Sequence, residues 1–64
     1  MTLGQSIRLH RKELELTQEQ LGQEIGIRGA TVSEWERDNS SPLWANIEEL
    51  VNIIGIDFLL DALR

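Results

Sequence analysis

Few residues in this 64-residue chain carry reactive chemistry. It has no cysteine, His10 is its sole histidine, and the sequence supplies no nucleophile–base pair, metal-ligand cluster or Gly-rich phosphate loop. An enzyme is therefore not expected, nor is a metal or other cofactor. The polar groups that remain gather in LTQEQLGQEIGIRGATVSEWERD, Leu16 to Asp38. Its second half, GIRGATVSEWERD, opens on a Gly that can end one short apolar helix before the next begins. Its outward positions begin with Gly, Ala, Ser and Glu.

The elements that must hold these groups are legible from caps and periodicity. Thr2 and Gln5 have the spacing of a capping box, so a first helix starts near Leu3. Along it Leu3, Ile7, His10 and Leu14 form one apolar stripe, with Arg11 at its edge and Arg8 and Lys12 outside. A lone histidine on such a stripe reads as structural. In LTQEQL, Thr17 and Gln20 form a second capping box, and Leu16 and Leu21 a hydrophobic staple around it. That helix turns Leu21 and Ile25 inward and ends at Gly26. From Gly29 a third helix gathers Gly29, Ala30, Ser33, Glu34 and Arg37 on one side, Val32 and Trp35 on the other.

Asp38 to Pro42 is rich in turn formers, and Pro42 suits the first position of the next helix. Trp44, Ile47, Leu50, Val51 and Ile54 recur at helical spacing up to about Gly55, and Asp57 can cap a fifth helix over Phe58–Leu63. Trp35 and Trp44 both fall on apolar faces, which predicts core packing rather than stacking on bases. The expected fold class is all-α: five short helices around one core, one domain over residues 1–64, with a helix-turn-helix at about 17–38.

A chain of this length buries only ~60% of its unfolded surface, so packing or oligomerisation must supply its stability. Six Lys and Arg against eleven Asp and Glu give a net charge of -5, opposite in sign to the usual footprint of a nucleic-acid binder. The distribution matters more. Five of the six cations (Arg8, Arg11, Lys12, Arg28, Arg37) lie within residues 1–37, so any phosphate-facing surface belongs to the N-terminal part. With no apolar run of signal-peptide or membrane-span length, a cytoplasmic location and no membrane partner are expected.

The run LTQEQLGQEIGIRGATVSEWERDNSSP resembles the helix-turn-helix of the lambdoid phage repressor and Cro family, also called the Xre family. The likeness extends from Leu3 and Ile7 through Thr17-Gln18, Leu21, Ile25-Gly26, Val32, Trp35-Glu36-Arg37 and Pro42 to Leu50 and Gly55-Ile56. The resemblance implies a compact lambda-repressor-like domain whose third helix lies in the major groove of an operator. It further implies that Gln18, beside Thr17 at the start of the second helix, grips a phosphate, and that Arg11 and Glu36 form an ion pair between the first and third helices. Gly29, Ala30 and Glu34 stand where the family places base-reading side chains. Gly29 offers only backbone, Ala30 can touch a thymine methyl, Glu34 can accept from cytosine N4, and Ser33 is a flexible fourth reader.

Three departures from the family pattern, at Arg28, at Glu15 and in the C-terminal helix, are informative. Arg28 replaces the usual Ser or Thr cap, forfeiting about 1 kcal/mol of capping but able to reach a phosphate or a guanine edge. Arg37, at the far end of the polar face, can reach the DNA backbone or complement the helix C-terminal dipole. Glu15 stands where the family commonly has Gly, so a left-handed backbone there would cost about 1 kcal/mol. In FLLDALR, Leu59 and Leu60 replace polar residues, and with Phe58 and Leu63 they suggest a homodimer seam, the alternative being a rotated final helix that packs them inward. A two-fold dimer would set its recognition helices about 34 Å apart on an approximately palindromic operator. The reading is thus a transcriptional regulator, a repressor before an activator. The alternative is an antitoxin or regulatory subunit whose acidic C-terminal half meets a basic protein partner. The end at LLDALR leaves room for a further segment that dimerises or senses a ligand.

Overall fold

Five helices and no strand make up the computed structural model, which describes all 64 residues: α1 (Leu3–Glu13), α2 (Gln18–Ile25), α3 (Gly29–Glu36), α4 (Trp44–Ile54) and α5 (Asp57–Leu63). Both capping boxes form. The Thr2 hydroxyl accepts from the Gln5 amide at 3.1 Å while Gln5 Oε1 accepts from the Thr2 amide at 2.9 Å. Thr17 and Gln20 repeat the arrangement at 3.0 and 2.8 Å. Gly26 ends α2 with a left-handed φ of 77°, and the Ile27 amide then donates back to the Gly22 carbonyl at 2.8 Å. The turn is so tight that a Cβ on Gly22 would stand 2.6 Å from the Ile27 carbonyl oxygen.

The apolar residues of all five helices meet in a single core of Ile7, Leu21, Ile25, Val32, Trp35, Ile47, Leu50, Ile54 and Phe58, with Leu3, Leu16 and Val51 half-buried against it. Helix α5 is drawn onto α1 by the buried Ser6 hydroxyl, which donates to the Phe58 carbonyl at 2.5 Å. The end of α3 is fastened to the start of α1 by Asp38, whose carboxylate accepts from the Thr2 hydroxyl at 2.6 Å and the Gly4 amide at 3.0 Å. These two polar ties fix α1 between α3 and α5.

Several expectations are corrected. Trp44 is 73% exposed, not packed: it is the first residue of α4 and lies at the edge of the stripe whose centre is Ile47, Leu50 and Ile54. Leu14 is exposed because α1 ends at Glu13, so the helical phase that aligned it with Ile7 no longer applies. Pro42 is not the first helical residue. Leu43 is the N-cap of α4, and Asn46 Oδ1 accepts from its amide at 3.3 Å. Asp57 is inside α5 rather than capping it, since Ile56 already has right-handed helical angles and takes the cap position. Phe58 is fully buried in the core, so it is a packing residue and not part of a surface seam. Glu15 has the positive φ, 58°, that its place after α1 suggested, and Asp38 shares it at 59°.

Candidate nucleic-acid interface

Helices α2 and α3 are held at a fixed angle by a buried cluster centred on Glu36. Arg11, reaching from α1, donates through Nε to Glu36 Oε2 at 2.6 Å and through Nη2 to Oε1 at 3.0 Å, and its Nη1 donates to the Leu16 carbonyl at 2.6 Å. The fork therefore clamps the end of α3, the loop before α2, and α1 itself. Gln18, the first residue of α2, adds its carboxamide Nε2 to Glu36 Oε1 at 3.1 Å. Removing either charge of the Arg11–Glu36 pair would strand the other in the interior. Sequence spacing did not reveal that Gln18 belongs to this cluster, because the contact exists only once the start of α2 meets the end of α3.

Around this clamp the two helices leave several polar side chains exposed or half-exposed. The Thr17 hydroxyl accepts from the Gln20 amide, which leaves its proton free to donate outward. Gln18 is half-buried and keeps one carboxamide N–H beyond its bond to Glu36. On α3, Val32, Trp35 and Glu36 are sunk into the interior, whereas Arg28 and Ala30 are exposed and Ser33 and Glu34 half-exposed. Arg28 has the extended backbone of an N-cap, φ -80° and ψ 149°, but its side chain makes no cap hydrogen bond. With Glu19, Gln23, Ile27, Gly29 and Ala30 it lines a cleft between α2 and α3.

Two of the expected site residues have a different local character in the structure. A Cβ on Gly29 would lie 2.7 Å from Glu19 Cγ and 3.1 Å from the Glu19 Cα, so the missing side chain faces α2 and lets α3 pack closely on it. Gly29 is a spacing residue first. Arg37 is not free: its Nη2 donates to Glu34 Oε1 at 2.7 Å and its Nε to the Ser33 carbonyl at 3.4 Å. Glu19 and Gln23 escaped the sequence reading, although their four-residue spacing from the first turn of α2 puts them on the side facing Gly29. His10 is structural but not apolar in its surroundings: Nε2 is 2.7 Å from Asp61 Oδ2 and Nδ1 is 3.4 Å from Glu13 Oε1. No group of residues is arranged to hold a metal ion, and no helix is long and apolar enough to cross a membrane.

This geometry has known counterparts. A protein-family model described as helix-turn-helix matches residues 7–60. The chain is 37% identical over 54 residues to the HTH-type transcriptional regulator DicA of Escherichia coli K12, covering 84% of this chain and 40% of DicA. It is 36% identical over 60 residues to repressor protein C2 of Salmonella phage P22, covering 91% and 28%. It is also 36% identical over 56 residues to the immunity repressor of Bacillus phage phi105, covering 88% and 39%. The chain thus spans well under half of each of these relatives. Among solved structures it is similar to the P22 c2 repressor crystallised with a synthetic operator, with a TM-score of 0.87, 31% identity and 97% of each chain covered. These relatives are regulators and repressors rather than enzymes, in line with the expectation from the sequence.

Proposed function

This chain belongs to the lambdoid repressor and Cro (Xre) family of helix-turn-helix proteins, and on that premise we propose that it is a sequence-specific DNA-binding domain of a transcriptional repressor. In this reading α3 enters the major groove, and the domain acts by occupying an operator. The observation that supports it most is the division of α3: one side is sunk around Val32, Trp35 and Glu36, and the other presents Arg28, Ala30, Ser33 and Glu34.

Thr17 and Gln18 take a phosphate at the start of α2, where the first-turn amides add their own donors. Arg28 reaches a phosphate or a guanine O6/N7 edge, and Ala30 meets a thymine methyl. Gly29 contributes at most its backbone. Dimerisation runs through α5, where Leu60 and Leu63 are 45% and 82% exposed and Leu59 is half-buried. A repressor works where the genome is, which for bacterial and phage relatives means the cytoplasm. A second reading, docking to a protein partner in the manner of an antitoxin, is favoured by one observation. Leu43 and Trp44 are 75% and 73% exposed at the start of α4, beside an apolar cleft that includes Val51, Ile56 and Leu59.

Selection of bound duplexes from a random pool tests the first reading. An enriched, approximately palindromic sequence is expected; no enrichment at low salt and high protein concentration would refute it.

A further inference from the structure

We propose that Arg37 is a positioning residue that holds Glu34 as an acceptor for the cytosine N4 amino group, and is not a phosphate contact; the proposal rests on α3 being the recognition helix. The two side chains lie one turn apart at the outer end of α3. Arg37 is anchored twice, by its Nη2 on Glu34 Oε1 at 2.7 Å and by its Nε on the Ser33 carbonyl at 3.4 Å. The guanidinium thus ties a side chain to the backbone of its own helix, and a planar fork keeps that geometry better than an ammonium would. Glu34 Oε1 is occupied by this bond, and Oε2 has no partner within the chain.

The unpartnered Oε2 is the acceptor that Glu34 keeps for a donor outside the chain. In the major groove guanine and thymine present only acceptors at their polar edges, and adenine sets its N6 donor beside the N7 acceptor. Cytosine alone offers an amino donor with no ring acceptor next to it in that groove. A solitary carboxylate among phosphates would be repelled. Paired with Arg37, Glu34 enters the groove as half of a neutral couple. The same pairing makes Arg37 unavailable to release a counterion from the DNA backbone. Recognition and charge compensation are then one device.

The test is a titration of the pool-selected duplex, and of its single-base variants, with wild type, E34A, R37A and the double variant over a range of salt concentrations. Both side chains lie at the surface, so all four proteins retain the core. Wild type should prefer cytosine at one position of each half-site, and E34A and R37A should each lower that preference about tenfold at that same position. The double variant should lose no more preference than either single change and should keep the wild-type salt slope, since a neutral pair has been removed. The proposal is overturned if R37A weakens every sequence by one common factor with the cytosine preference intact. It is equally overturned if the double variant flattens the log–log salt slope by about 0.9, the signature of one lost phosphate contact. Absence of any selected sequence for wild type would remove the DNA-binding reading itself, and this proposal with it.

Discussion

At the scale of single residues, Arg11 and Glu36 carry the largest stake. Their side chains are 9% and 2% exposed, and both carboxylate oxygens of Glu36 accept hydrogen bonds, Oε2 from Arg11 and Oε1 from Arg11 and Gln18. Arg11→Ala should therefore destabilise the fold by about 3–5 kcal/mol, measured by urea denaturation, because it leaves a buried carboxylate without its counter-charge. Replacing both partners, Arg11→Met with Glu36→Met, should cost less than the single change, since no stranded charge remains. An additive loss in the double variant would contradict this account of the pair. Family likeness and helical phase together pointed to Arg11 and Glu36, and the structure brings them into contact. Gln18 is different: its bond to Glu36 depends on tertiary approach, and no local pattern encodes it. Trp44 departs from its periodicity for a related reason, since a large apolar residue at a helix start shares the period of the buried face while lying beyond the neighbours that would cover it.

At the scale of elements, α3 has given up a local advantage. Arg28 occupies an N-cap with suitable backbone angles and no capping side chain. Arg28→Ser should raise stability by about 1 kcal/mol in thermal or chemical denaturation, while lowering affinity for the selected duplex. A variant that gains stability and keeps full affinity would remove Arg28 from the interface. Gly29→Ala tests the packing of α3 on α2. Its added methyl meets the Glu19 backbone, so we predict destabilisation of about 1–3 kcal/mol by denaturant titration, despite the better helix propensity of alanine. The helices themselves were readable where a side chain makes the cap, as at Thr2 and Thr17. They were read less well at α4 and α5, whose caps are Leu43 and Ile56 and carry no side-chain signal. Each boundary error moved a neighbour: starting α5 at Asp57 rather than Phe58 accompanies the burial of Phe58, which leaves Leu60 and Leu63 as the exposed leucines of that helix.

At the scale of the whole molecule, the acidic net charge and the proposed DNA partner are reconciled by how the cations are used. Arg11, Arg37 and Arg64 are each paired with a carboxylate, which leaves Arg8, Lys12 and Arg28 outside the ion pairs. The salt dependence of binding should therefore be shallow, with a log–log slope no steeper than about -3 per chain, and affinity should lean on dimerisation. Leu60→Glu should accordingly weaken binding to a paired half-site far more than to a single half-site, read by titration alongside sedimentation of the free protein. Repeating the random-pool selection with Ala30, Ser33 and Glu34 replaced together asks whether the outward side of α3 reads base sequence. The replaced chain, folded as before, should enrich a different half-site or none, whereas recovery of the same half-site by both proteins would show that these side chains do not read sequence.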